Sequence, residues 1–144
     1  LSAVLKLIED NHLQDIVVYH PTVLASEVPS FFTNATALLV PLADTPSPVS
    51  KTIPNKLISS LAYGRLIFSS IGGDGRKVLE EAGGSLFASE DPKDIAKGLE
   101  EMMSLSDEKR SEMGQANQTY FAQNFDFDKV MNQLIQAFKD CKKS

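Results

Sequence analysis

Two consecutive strand–loop–helix segments between Leu38 and Gly84 constrain the fold of this chain more than any other feature. An apolar run, Leu38–Val40, ends at Pro41, and a loop rich in Pro, Ser and Asp leads from it into a helical pattern. A second apolar run begins at Leu66 and leads through a glycine-rich turn into another helical pattern. Short apolar strands that alternate with helices are typical of a parallel sheet covered by helices on both faces. The sequence therefore predicts a Rossmann-like α/β fold.

The first of these two helices has clear start and stop residues. Pro54 suits a first helical turn, where its missing N–H has no intrahelical partner, and Gly64 is typical of the left-handed residue after a helix. A cation at Lys56 opposes the helix dipole unless an anion lies nearby. We therefore predict a phosphate site at the helix start, formed by Ile53, Pro54, Asn55 and Lys56. A solvent-exposed surface lysine is the alternative for Lys56.

The rest of the chain continues the alternation of strands and helices. We predict four strands, at residues 16–19, 37–40, 66–69 and 85–88. A helix precedes the first strand, and Ser26 and Asp91 are the expected N-caps of two later helices. We interpret residues 1–144 as one domain, with the helices within 107–139 packed against it. Three helical stripes are expected to be buried: Val28, Phe31, Phe32 and Ala35; Ile95, Leu99, Met102 and Met103; and Val130, Leu134 and Phe138.

Charge and residue types exclude several classes of function. The net charge is −5 and only the C-terminal lysines cluster, which argues against a nucleic-acid-binding surface. His12 and His20 have no neighbouring Cys or His at metal-ligand spacing, so we predict no metal site. No Ser-His-Asp or Cys-His arrangement is recognisable, and catalytic residues are therefore not assigned.

Cysteine usage and hydropathy indicate a cytoplasmic protein. The single cysteine, Cys141, excludes an internal disulfide and is typical of a reducing compartment. No apolar run approaches the ~20 residues that span a membrane, and no secretory signal is recognisable. The chain begins at Leu1, inside a helical pattern and without an initiating Met, so we interpret it as part of a longer protein.

Three loops are predicted to meet at the carboxyl edge of the sheet, where ligands bind in folds of this kind. They are His20–Pro21, Pro41–Pro54 and Ser70–Asp74. The second is the only long irregular segment, and long loops in compact domains are often functional. Gly72–Gly75 matches only part of a dinucleotide-binding fingerprint, because Val78 occupies the third glycine position. A plain tight turn is an equal alternative for these glycines.

Several short motifs occur in an order that is typical of one enzyme family. Val18–Pro21 stands where that family has an apolar strand ending in aromatic-x-Gly, and Phe31–Pro41 matches its aromatic pair, small-residue turn and strand ending in Val-Pro. Ile53–Arg65 is similar to Ile-Pro-Ser-Lys-Leu-Phe-Glu-Tyr-Met-Ala-x-Gly-Arg. Further matches are Gly72-Gly73, Glu80–Gly83 and Asp91-Pro92. From about Ile16 to Phe138 the chain resembles the C-terminal, donor-binding half of GT-B glycosyltransferases of the retaining family-4 type, near bacterial amino-sugar transferases of surface polysaccharide synthesis.

This resemblance implies a function and roles for the site residues. The expected donor is a UDP-linked nucleotide sugar, and the reaction retains the anomeric configuration without a metal or other cofactor. An N-terminal acceptor-binding half is the expected partner, with peripheral association at the inner face of the membrane through that half. The 144 residues alone are expected to be inactive. The implied contacts are Ile53–Lys56 for the diphosphate; His20, Pro21 and Val23 for the base; Ser59 and Ser60 for the ribose; and Gly72, Gly73 and Asp74 for the sugar.

Two positions depart from the family pattern. The family has two glutamates eight positions apart, where this chain has Lys51 and Ser59. Ser59 replaces a charged acceptor for the ribose hydroxyls by a short neutral hydroxyl. Two alternatives to the transferase therefore stay open: a non-catalytic GT-B-like nucleotide-binding or assembly module, and one half of a nucleotide-sugar epimerase.

Overall fold

The computed structural model describes residues 2–42 and 52–141 of the 144-residue chain. Seven helices and three strands occur within these two ranges. In chain order they are α1 (Ser2–Asp10), α2 (Val28–Asn34), β1 (Ala37–Val40), α3 (Asn55–Ala62), β2 (Leu66–Ser69), α4 (Gly73–Ala82), β3 (Ser85–Phe87), α5 (Pro92–Ser104), α6 (Asp107–Asn124) and α7 (Phe127–Cys141).

The three strands form one parallel sheet in the order β1-β2-β3. The Cα of Leu38 lies opposite that of Ile67, and the Cα of Phe68 lies opposite that of Leu86. Strands and helices alternate along the chain, and helices surround the sheet. The predicted α/β, Rossmann-like fold class is therefore confirmed.

One face of the sheet carries most of the apolar core. Val40 and Ile67 point to this face because side chains alternate along a strand, and both are almost completely buried. They pack with one apolar stripe from α3 and one from α4. Full burial of a side chain such as Leu57 contributes roughly 1.5–3 kcal/mol. The stripe residues are Leu57, Leu61, Val78, Leu79 and Ala82.

The opposite face is covered by α5, which contacts β2 and β3. Gly98 of α5 lies so close to Phe68 that a Cβ there would be 2.5 Å from the ring. Leu39 of β1 lies opposite Phe68 in the register and is 51% exposed. On this face, α5 therefore covers β2 and β3 and leaves Leu39 of β1 exposed.

Helix α6 is fixed at the amino ends of the strands by one buried side chain. The Asn117 amide nitrogen donates hydrogen bonds to the carbonyl oxygens of Arg65 (2.9 Å) and Gly84 (2.8 Å). Gly114 lies against Gly64, where a Cβ would be 2.3 Å from the carbonyl oxygen. Since α6 also packs against α3 and α4, it connects the core helices to the sheet.

The predicted helix ends at Gly64 and Asp91 are confirmed. Gly64 has a φ of 62° and follows α3, as a left-handed cap requires. Asp91 precedes α5, and its side chain accepts a hydrogen bond of 2.7 Å from the Lys93 N–H. The same capping occurs at α6, where Ser106 accepts from the Lys109 N–H at 3.2 Å.

The predicted strand at residues 16–19 is wrong. The N–H groups of Ile16 and Val17 both donate to the Leu13 carbonyl, which makes a turn, and the following residues are irregular. Ile16 and Val18 are strongly exposed. A segment rich in β-branched residues does not form a strand without a neighbouring strand, because the strand preference of these residues reflects cross-strand packing.

Two helix starts also differ from the prediction. Helix α2 is capped by Glu27 and not by Ser26, because Glu27 closes a turn with Leu24 through both its backbone N–H and its carboxylate. Helix α4 begins at Gly73, so Gly73, Asp74 and Gly75 form its first turn and not a loop. The predicted glycine loop is therefore confined to the residues just before Gly73.

The predicted buried stripes are only partly confirmed. Ile95, Leu99 and Met102 are half-buried, but Met103 is exposed. Helix α2 has no buried residue, and Phe31 is exposed. Helix α7 has none either, and its Val130, Leu134 and Phe138 are exposed. Helical periodicity identifies an apolar face but not whether another element covers it.

Candidate functional site

The carboxyl ends of β1 and β2 are tied together by a buried serine. The hydroxyl of Ser69 donates to the Val40 carbonyl oxygen at 2.8 Å and accepts from the Ile71 N–H at 3.1 Å. Ser70 adds a 3.4 Å contact to the Leu42 carbonyl oxygen. The backbone that leaves each strand is therefore held in a fixed position at the edge where open α/β sheets usually bind ligands. The sequence predicted Ser69 only as the last residue of a strand. A polar residue at the end of an apolar run is the signal that could have indicated its role in linking the two strand ends.

Helix α3 starts at the same edge. Pro54 is the N-cap in an extended conformation, so it lies one position earlier than the predicted first turn. Its carbonyl oxygen accepts from the N–H groups of Leu57 (2.9 Å) and Ile58 (3.3 Å). The N–H groups of Asn55 and Lys56 have no intrahelical acceptor, because they belong to the first turn, and they point away from the N-terminal end of the helix. Ile53 packs against the apolar core and so anchors this start.

The residues predicted to bind the base and Lys56 line one cleft. Its volume is about 770 Å³, and His20–Val23, Val28, Phe31, Phe32 and Lys56 form its walls. The rings of His20 and Phe31 are 5.0 Å apart in an edge-to-face arrangement. Phe31, predicted to be a core residue, is thus a cleft residue that the sequence analysis missed. Thr22, which lies within the segment predicted to contact the base, also lines the cleft.

The charges of this cleft suit an anion. Lys56 is exposed at the helix start, where it adds a full positive charge to the dipole of α3. Within the described part of the chain, the residues that line the cleft include no carboxylate. A negatively charged ligand would therefore meet no repelling side chain from this wall.

The two serines predicted to lie near the ribose have different environments. Ser60 is buried, and its hydroxyl donates to the Lys56 carbonyl oxygen at 2.8 Å, one turn back along the helix. Ser59 is exposed on the same helix. In this conformation only Ser59 has its side chain open to a ligand, and the prediction for the ribose therefore depends on Ser59.

The residues predicted to face the sugar lie at the start of α4. Gly72 is the N-cap, and Gly73 has a positive φ of 61° that favours glycine. Asp74 pairs with Lys77 at 2.9 Å, and this contact raises the pKa of Lys77. None of the three lines the cleft that contains Lys56. Lys51 lies outside the described residues.

A second, smaller cleft of about 320 Å³ lies beyond the carboxyl end of β3, between α4 and α5. Arg76 places its guanidinium 4.4 Å from the centre of the Phe87 ring and pairs with Glu80 at 2.7 Å. Asp94, Lys97 and Glu101 also line it. The mixture of charges does not favour one sign of ligand.

Metal-ligand clusters and membrane-spanning helices are both absent from residues 2–42 and 52–141. No group of three or more His, Cys, Asp or Glu side chains in these ranges is placed to hold a metal ion. None of the helices described there combines the length and the apolar character needed to cross a bilayer.

Comparison with known proteins shows the fold. No protein-family model and no curated protein matches the chain. Among solved structures, sucrose-phosphate synthase from Thermosynechococcus elongatus is similar, with a TM-score of 0.79 and 14% sequence identity. The similarity covers 97% of this chain but 34% of that chain, so the chain spans about one third of the synthase's length. The protein therefore has the Rossmann-like α/β fold of one half of a GT-B structure.

Proposed function

We propose that this chain is the donor-binding half of a glycosyltransferase that moves a sugar from a UDP-linked donor to a saccharide or lipid-linked acceptor. One observation supports it most: Lys56, at the start of α3, shares a cleft with His20–Val23, a segment more than thirty residues earlier. The sequence resemblance gave these two segments adjacent roles, phosphate and base. Their common cleft is what one bound nucleotide requires.

The chemistry of transfer fits this wall of the cleft. A leaving nucleoside diphosphate develops negative charge, and fixed N–H groups with a cation stabilise that charge electrostatically. The first-turn N–H groups of α3 and the Lys56 ammonium supply both. The more apolar wall around Val23 and Phe31 suits a flat base, since aromatic side chains stack on bases with little dependence on their identity.

The finer assignments belong to the same proposal. Ser59 lies one helical turn, or about 6 Å along the axis, beyond Asn55, so a nucleotide with its diphosphate at the helix start extends its ribose toward Ser59. Gly72–Asp74, at the start of α4, would face the sugar. The similarity of Ile53–Arg65 to amino-sugar transferases supports an amino sugar as the transferred group.

A second half of the enzyme belongs to the same proposal. The synthase that shares this fold is about three times as long as this chain. A separate acceptor-binding half would complete the site, supply catalytic groups and hold the enzyme at the inner face of the membrane. Without it, the 144 residues bind donor weakly and do not turn over.

The first test is the substitution Lys56→Gln, with UDP affinity measured by calorimetry. Loss of one charge-assisted contact weakens binding by roughly 1.5–3 kcal/mol, or about 10- to 100-fold. Lys97→Gln is the matched control, because Lys97 lies in the cleft between α4 and α5. Equal UDP affinity in wild type and Lys56→Gln, with both folded, would return Lys56 to the role of a surface lysine.

A non-catalytic nucleotide-binding module is the second candidate, and Ser59 is the observation that favours it. A glutamate there would accept hydrogen bonds from two ribose hydroxyls, whereas serine holds one at most. In Ser59→Glu, a working site with a weakened ribose contact should bind UDP several-fold more tightly. Unchanged or weaker affinity would mean that position 59 does not contact the ribose of this donor, and would favour the non-catalytic module.

A further inference from the structure

A separate cavity of about 280 Å³ lies at the amino edge of the sheet, at the other end of the strands from the cleft that contains Lys56. Thr36 and Arg65, which directly precede β1 and β2, line it together with Asp107, Arg110 and Ser111 from the start of α6. Four-residue strands at ~3.3 Å per residue separate the two edges by about 13 Å. From these residues we infer that the cavity binds a phosphate group, either free or as a small monoester.

Two arginines give the cavity its charge. Arg110 donates to Asp107 at 2.5 Å, but the Asp107 side chain is largely exposed to solvent. Arg65 donates to the Thr33 carbonyl oxygen and forms no ion pair with any carboxylate of the described residues. One exposed carboxylate against two guanidinium groups leaves the cavity net positive. Guanidinium forks match the oxygen geometry of phosphate.

Backbone contacts hold both guanidinium groups in place before any ligand binds. Arg110 donates from Nη1 to the Leu105 carbonyl oxygen at 2.5 Å, at the C-terminal end of α5. This contact gives Arg110 a structural role, since cations stabilise helix C-termini. Arg65 has the corresponding role at α2, because Thr33 lies in the last turn of that helix. A ligand would therefore meet donors that are already fixed, which lowers the entropic cost of binding.

Unused hydrogen-bonding groups remain around the cavity. The Nε atoms of Arg65 and Arg110 are buried and have no acceptor among the described residues. Thr36 and Ser111 are exposed, and their hydroxyls make no side-chain hydrogen bond within residues 2–42 and 52–141. Buried donors without acceptors are uncommon in folded proteins. A tetrahedral oxyanion supplies several acceptor oxygens at once. In the cavity these oxygens would accept from the hydroxyls and from the accessible edges of the guanidinium groups, because the buried Nε atoms are closed to a ligand.

The test is a phosphate titration of the protein followed by NMR, with chloride at matched ionic strength as the reference. We expect saturable shifts of the Arg65 and Arg110 Nε–H signals and of the Ser111 amide, with the Lys56 amide unmoved. Arg65→Gln should weaken binding about tenfold or more, and Arg76→Gln, which alters the cleft between α4 and α5, should not. Equal shifts with chloride, shifts at Lys56 alone, or unchanged affinity in Arg65→Gln would overturn the site.

Ser111→Asp provides a second variant that leaves both arginines in place. Its carboxylate should repel phosphate and abolish the saturable shifts while circular dichroism stays native; persistent binding in this variant would overturn the inference. Glycerol phosphate distinguishes the two sources of the phosphate group. Tighter binding of the monoester assigns the cavity to a phosphorylated metabolite, and tighter binding of inorganic phosphate assigns it to the free ion. Because all of these signals lie far from Lys56, their outcome is independent of the nucleotide proposal.

Discussion

At the scale of single residues, Tyr120 joins α6 to α4 by a side-chain hydrogen bond. Its hydroxyl donates to Oε2 of Glu81 at 2.6 Å. Burial of the hydroxyl, together with this bond and the charge of Glu81, raises the pKa of Tyr120 to about 12. The neutral phenol is therefore the form that the folded protein prefers, and deprotonation would place two negative charges side by side.

This pKa predicts a loss of stability at alkaline pH. An unfolded tyrosine has a pKa of about 10, so the Tyr120 contribution is fully present below that pH and is lost as the pH rises toward about 12. The free energy of unfolding, measured in denaturant across this window, should fall more steeply in wild type than in Tyr120→Phe. Parallel curves for the two proteins, or a phenolate absorbance of Tyr120 that is complete by pH about 10, would contradict the assignment.

At the scale of secondary-structure elements, two glycines allow helices to approach their neighbours closely. Gly114 of α6 faces backbone atoms of Gly64 and Arg65, which cannot move without displacing the turn between α3 and β2. Gly75 of α4 faces the side chains of Ile71 and Leu57, and the nearest atom to a Cβ built there is Ile71 Cδ1, at 2.4 Å. The two glycines therefore differ in what an added methyl group would displace.

Alanine substitutions at these two positions should have opposite consequences. Gly114→Ala should destabilise the protein by about 1–3 kcal/mol, because overpacking against backbone separates α6 from the sheet. Gly75→Ala should be neutral or stabilising by up to about 1 kcal/mol, because alanine favours the helix and Ile71 can change rotamer. Urea denaturation of both variants measures the difference. Similar effects at the two sites would mean that α6 does not pack as closely as described.

At the scale of the whole molecule, residue patterns that are local in sequence correctly predicted two strands of the sheet and the ends of two helices. The apolar runs at 37–40 and 66–69 became β1 and β2, and Gly64 and Asp91 cap their helices as expected. These features depend on short-range sterics and on burial from both faces. The fold class followed from their alternation alone.

Features that depend on a distant partner were not predictable in the same way. Residues 16–19 have strand composition without a paired strand, and α7 has an apolar face without a buried residue. Phe31 has the pattern of a core residue but lies in the cleft. The cleft itself joins segments far apart in sequence, and the sequence resemblance, not periodicity, indicated that His20–Val23 and Lys56 act together.

The most direct test of the central proposal is a UDP titration of the protein followed by backbone amide NMR. We predict that amides of Ile53, Asn55 and Lys56 and of His20 and Val23 shift together and fit one dissociation constant, because a single nucleotide would contact both walls of the cleft. Weak affinity is expected, since this chain supplies only one side of the proposed donor site. Shifts confined to the amino edge around Arg65, or no shifts at millimolar UDP, would contradict a donor site at the start of α3.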